Sequence, residues 1–264
     1  MRVSLIGAAV RAPGLGSWEQ ARAVLAGELP LDPDALLDLP PPALLSPNER
    51  RRAGLPVRLA LAVCEEASRM AGHEPGALPG IFGSSNGDGA VVHDLLETLA
   101  SADPQLSPTR FHNSVHNAVA GYWSIATGSS APITVLGCHD ATFAASLLKA
   151  ASECVAEAMP ILLCLYDAPM KLPLGALRTT TIGLSAAFVL APARPGAALA
   201  DLDIAFTPDA APPEPEPIAP GLRSLWRQNP VGRGLVLLEA VTRKQPVSLA
   251  FPYGRGQIAI VVQP

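Results

Sequence analysis

The sequence lacks most of what marks a metal-binding, nucleic-acid-binding or membrane-spanning protein. Its four cysteines, at 64, 138, 154 and 164, include no C-x-x-C pair, which removes the usual zinc and thioredoxin-type arrangements. Only 16% of the 264 residues are charged, 5% are aromatic, and the net charge is −4. With a pI near 5.7 and no basic stripe, there is nothing to neutralise a phosphate backbone, and no nucleic-acid partner is expected. No apolar run approaches the ~18 residues of a membrane span. The opening MRVSLIGAAVRAPG is too short an apolar run for a signal peptide and reads as a strand. No repeat of solenoid period occurs. GSSNGDG at 83–89 has neither a Walker lysine nor G-x-G-x-x-G spacing, so no cofactor is expected and Asp88 reads as a helix cap. His112 and His116 are four apart, but no Glu stands between them and no third ligand is evident, so no metal is expected.

What the chain does have is apolar surface. Hydrophobic residues make up 49% and the mean hydropathy is +0.29. Such a chain either buries much sheet or covers a large surface with a partner subunit. Cysteines in apolar surroundings read as reduced, mostly buried thiols, and a cytoplasmic location is the expectation. Arg50, Arg51 and Arg52 read as a solvated helix face, or as a docking spot for an acidic partner.

Strands and helices alternate, which indicates a layered α/β protein with at least partly parallel strands. Strands are expected at Val3–Ile6, Gly80–Phe82, Ile133–Leu136, Ile161–Tyr166, Leu184–Leu190, Val247–Phe251 and Gln257–Val262. Helices are expected at Ser17–Leu25, from Ser46-Pro47-Asn48-Glu49 as a capping box, at Val57–Ala71, from Val91 to Leu99, from the Asn117 region to Thr127, and at Ala141–Ala151. One further helix, Leu222–Thr242, is interrupted near Pro230. A Pro-rich linker is expected over 201–220, densest in TPDAAPPEPEPIAP at 207–220, which cannot enter a helix or a sheet interior.

The stretch TVLGCHDATF at 134–143 places Cys138, His139 and Asp140 between a β-branched run and a small-residue helix. Cys138 and His139 can be a nucleophile–base pair, or a buried thiol beside a histidine that caps the helix. Asp140 and Asp167 read as caps or loop ligands. Tyr122 and Trp123 line an apolar tunnel, or pack in the core or an interface.

GSSNGDG, the long string SPTRFHNSVHNAVAGYWSIATGSSAPITVL and the ending FPYGRGQIAIVV together resemble the β-ketoacyl synthase branch of the thiolase-fold enzymes. The short, chain-length-factor-type subunits of aryl polyene and type II polyketide biosynthesis are similar. The resemblance implies an α/β, thiolase-like layered α-β-α-β-α architecture with an abbreviated C-terminal half. It implies one ketosynthase-like domain over 1–264, with residues 1–200 as the N-terminal half, 201–220 as linker and 221–264 as the abbreviated remainder. In that family a cysteine sits at a sharp strand-to-helix turn, and two histidines from the C-terminal half support decarboxylation and condensation. Aligned without gaps, the nucleophile position falls on His139, with Cys138 one place early. A one-residue deletion in the turn would restore Cys138 to it. All five histidines lie at or before 139, so the groups that Claisen condensation needs are missing.

The resemblance therefore implies a non-catalytic subunit with a degenerate nucleophile turn, Cys138 and His139, and no catalytic set. Such a subunit pairs with a full-length β-ketoacyl-ACP synthase as a heterodimer, shapes its acyl or polyene tunnel, and meets an acyl carrier protein. Asn113, His116, Asn117, Tyr122, Trp123 and Phe143 are the tunnel or interface candidates. The alternative is an acyltransferase, thioesterase or ketosynthase in its own right, using Cys138.

Overall fold

The run ILLCLYD is buried at all 7 positions, as a strand covered on both faces must be. A computed structural model describes residues 1–178, 180–194, 196, 198–208 and 213–264, and ILLCLYD is its fourth strand. The elements in order are β1 (Arg2–Arg11), α1 (Trp18–Ala26), α2 (Pro47–Arg52), α3 (Leu55–Met70), β2 (Gly80–Gly83), α4 (Gly89–Leu99), α5 (Pro108–Ser114) and α6 (Ala118–Thr127). Next come β3 (Ile133–Leu136), α7 (Thr142–Glu157), β4 (Ile161–Asp167), β5 (Leu184–Pro192) and β6 (Ala200–Thr207). The chain closes with α8 (Pro220–Gln228), α9 (Arg233–Thr242), β7 (Val247–Tyr253) and β8 (Gly256–Gln263).

The strands form one sheet in the order β3-β2-β4-β5-β1-β6-β8-β7. β2 runs parallel to β3 and β4, and the remaining pairs are antiparallel. Side chains alternate across β4. Ile161, Leu163 and Leu165 enter the apolar cluster around α7, while Leu162, Cys164 and Tyr166 enter the cluster under α3 and α6, as the two-residue period dictates. α7 packs against β2, β4 and β5 and also against β6 and β7, so the sheet wraps around it. On α7, Phe143 meets the Phe251 ring edge-on at 4.9 Å and Phe188 at 6.3 Å. It thereby joins the closing hairpin to the central strands. Small residues on the same helix, Ala144, Ala150 and Ala151, let strands approach from two sides. The layered α/β architecture expected from the resemblance is the one observed.

Several local expectations change. Ser46 accepts from the Glu49 N–H at 3.4 Å, but the Glu49 carboxylate turns to Arg52 at 3.3 Å, so the capping box is half made. The 201–220 stretch opens as β6, not as linker. Ala200, Leu202 and Ile204 point into the core and Asp201 and Asp203 outward, an alternation that overrides the prolines further on. Residues 209–212 of the expected linker lie outside the described residues. The interruption near Pro230 is a 3₁₀ turn, Pro230–Gly232, capped by Asn229. Fully buried Asn229 also donates to the carbonyls of Asp167 at 3.1 Å and Ile182 at 2.9 Å, tying the C-terminal helices to the end of β4. Cys64, Cys154 and Cys164 are buried free thiols and Cys138 is half-buried. Among the described residues no helix is long and apolar enough to cross a membrane.

The end of β4 also anchors the glycine-rich loop. The buried Asp167 carboxylate accepts from the Ser84 hydroxyl at 2.7 Å and from the N–H groups of Ser85 at 3.0 Å and Asn86 at 3.1 Å. Burial outweighs these hydrogen bonds and pushes its pKa from 3.8 up to about 6.

Two outcomes follow from this packing. Phe143→Ala is expected to lower stability by about 3–5 kcal/mol, read by urea unfolding as one shifted transition. A separate early transition would show that the closing hairpin holds without this contact. The folded state takes up the Asp167 proton more readily than the unfolded chain. That share of stability is therefore complete below the unfolded pKa of about 3.8 and is lost as pH rises to about 6. The difference in unfolding free energy between wild type and Asp167→Asn should fall across that window by roughly 3 kcal/mol and be flat above it.

Candidate functional site

β2, β3 and β4 are the parallel strands, and the loops leaving their C-terminal ends converge, as ligand sites in open α/β sheets do. These loops are 83–89, 137–141 and the segment after Asp167. Glycine is required where they meet. A Cβ on Gly83 would lie 2.5 Å from Ser146 Oγ on α7, and one on Gly137 would lie 3.0 Å from His116 Nε2.

The turn 137–141 is held from both sides. The Cys138 N–H donates to Thr142 Oγ1 at 3.0 Å, and the Thr142 and Ser85 hydroxyls both donate to the His139 carbonyl, at 2.6 and 2.8 Å. His139 itself has φ +52°, a left-handed conformation that is costly for a residue with a Cβ and gathers at functional turns. The residue that the gap-free alignment puts in the nucleophile position is thus the one with the sharp-turn backbone. Cys138, one residue earlier, has φ −129°.

The polar contacts of the His139 imidazole are with Asp140, at 3.4 Å, and with Arg178, and not with Cys138. Arg178 also reaches Asp140 at 3.1 Å and donates to Asn86 Oδ1 at 3.0 Å. It locks the turn onto the glycine-rich loop. Asp140 and Asp167 serve as ion-pair and loop ligands, as expected from the sequence. Beyond the turn lies a cleft of about 240 Å³ whose wall includes Trp226, Arg227 and Arg233.

The tunnel and interface candidates are divided. Asn113, His116 and Tyr122 line one crevice with Gly87, Asp88 and Tyr166. Its free volume of about 10 Å³ has room for roughly one water. The Tyr122 hydroxyl donates to Asn113 Oδ1 at 3.4 Å, and His116 Nε2 lies 3.1 Å from the Leu136 carbonyl. Trp123 is buried in the cluster under α3, and Phe143 lies in the cluster around α7; neither lines this crevice. Asn117 is the exposed N-cap of α6. Asp88 caps α4, accepting from the Val91 N–H at 3.1 Å. Arg178, Trp226, Arg227 and Arg233 were not singled out from the sequence. They come to the turn from 39 or more residues away, and no local spacing announces them.

His93, Asp94 and Glu97 on α4 bring their ligand atoms within 4.8 Å of one another. The Lys171 ammonium already sits 2.7 Å from Asp94, so the cluster is a neutralised surface network.

No curated protein matches the sequence. Among solved structures, the chain is similar to a chain of the ketosynthase ApeO in complex with its chain length factor ApeC from Xenorhabdus doucetiae. The TM-score is 0.74 at 18% identity, over 99% of this chain and 99% of that one. It is similar to a chain of the ishigamide ketosynthase/chain length factor with TM-score 0.70 at 14% identity, again over 99% of each. Against the ketosynthase from module 6 of the bacillaene synthase from Bacillus subtilis 168, the TM-score is 0.56 at 11% identity. That match covers 81% of this chain but 42% of the other. At these identities the likeness is one of fold. The sequence itself matches the profile of the beta-ketoacyl synthase N-terminal domain over residues 18–214, well over half its length, and the chain belongs to the β-ketoacyl synthase family.

Proposed function

We propose that the chain is a non-catalytic, chain-length-factor-type subunit that pairs with a full-length β-ketoacyl-ACP synthase in the cytoplasm and shapes its acyl or polyene tunnel, in aryl polyene or type II polyketide synthesis. Its 264 residues act as one ketosynthase-like domain, with 221–264 as an abbreviated C-terminal half. An acyl carrier protein serves the active partner.

The observation that carries this reading is the backbone of His139. A left-handed turn stands where the resemblance would put the nucleophile, and it carries an imidazole held by Asp140 and Arg178. A thiol one residue away on such a turn leaves in a different direction and cannot replace it. With every histidine at or before 139, no second base comes from the C-terminal half.

The surface supports a partner. β3 lies at the end of the sheet and among the described residues pairs with β2 alone, so its outer edge is open to another strand. Exposed apolar side chains include Phe111 (60%) on α5 and Ile125 (61%) on α6, with Leu96 and Leu99 on α4 and Val115 after α5. On α6, exposed Gly121 has open space where a Cβ would be, which suits close approach of a second backbone. Several large apolar side chains left in solvent on successive helices favour an interface.

Co-expression with an active synthase tests the assignment. A stable complex is expected to co-purify, and the double variant Phe111→Glu, Ile125→Arg should weaken it by about 2 kcal/mol or more. Cys138→Ala should leave both the complex and the chain length of its products unchanged. A folded monomer that never associates, or an acyl group on Cys138 seen by mass spectrometry and needed for turnover, would refute the reading.

A further inference from the structure

The cleft beside the retained turn is absorbed by no part of that function. We infer that it binds an organic oxyanion, a phosphate monoester or a carboxylate carried on an apolar body. The inference concerns the isolated chain and stands whether or not the chain pairs with a synthase.

The cleft holds about 240 Å³ and is lined by His139, Asp140, Arg178, Trp226, Arg227 and Arg233, with Leu177 and Pro230. Three guanidiniums therefore meet one carboxylate in its wall. The other acids that pair with these arginines stand outside it. Glu214 holds Arg233 at 2.9 and 2.7 Å, and Glu216 holds Arg227 at 3.4 Å. They fix the side chains without filling the cleft. Arg233 lies over the Trp226 ring, 5.0 Å from its centre, and Arg178 is clamped by Asn86. Arg233 and Arg178 are thus held in place before any ligand arrives, and the donors left for an oxyanion are Arg233 Nη1 and the Nε and Nη1 of Arg227, which have no acceptor among the described residues.

A bare ion would occupy a fraction of the cleft. Leu177, Pro230 and Trp226 add a smaller apolar part to a mainly polar wall, and the remaining volume leaves room for the organic body of an anion.

Calorimetric titration of the full chain with phenyl phosphate, benzoate and neutral benzamide tests this. At least one anion should bind about tenfold or more tighter than benzamide, and more weakly as salt is raised. Tighter binding of phenyl phosphate assigns a phosphate monoester, tighter binding of benzoate a carboxylate, and either supports the site. Arg227 is largely exposed, with 65% of its side chain accessible, so Arg227→Gln should fold normally and still weaken the anion about fivefold or more. Arg178→Gln, checked for folding by circular dichroism, should weaken it further. Anions that bind no better than benzamide, or folded variants that bind like wild type, would overturn the inference.

Discussion

The structure depends on burying α7 between two parts of one sheet. Phe143, Leu147, Ala150 and Cys154 on this helix share an apolar cluster with residues from Val3 to Val262. A helix covered on both sides cannot shift without opening the core, because interiors are close-packed. Its N-terminus is therefore held in place, and so is the turn that precedes it. The first turn of α7 adds polar fixation, since Thr142 bridges the Cys138 N–H and the His139 carbonyl.

At the corner the loops after β2, β3 and β4 converge, Asp167 organises the 84–86 backbone, and His139 takes the left-handed conformation. The side chains that meet there are His139, Asp140 and Arg178. A strained backbone position persists only where the surroundings over-determine it, and here Ser85, Thr142 and Arg178 all do so. Retention of the turn is thus a consequence of how α7 is packed, whatever side chain occupies it. The same sheet ends in β3, one strand from the loop that carries Ser84 and Ser85.

Much of the fold was legible because its signals are local. The apolar run at 161–166 announced a strand, Ser46-Pro47 and Asp88 announced helix starts, and the glycines of 254 and 256 announced the closing hairpin. β6 was legible as well, through Leu202, Ile204 and the aspartates between them, but the prolines downstream drew the whole stretch into a linker. Of the candidate site, a turn between a strand and a helix could be read from TVLGCHDATF. Asn113, His116 and Tyr122 fell together around one crevice. Trp123 and Phe143 went elsewhere, because apolar residues adjacent to a site in sequence are drawn into whichever cluster their helix face meets.

By itself the sequence determined the family, through the resemblance of its longer strings, and the alternation of strands and helices. The alternation follows from periodicity and capping over short stretches of chain. Only the tertiary structure decided which residues surround the turn. Asn86, Arg178, Trp226, Arg227 and Arg233 come from separate loops and helices. Their meeting depends on how the sheet wraps around α7, and a long-range packing geometry of that kind leaves no mark on the spacing of residues along the chain.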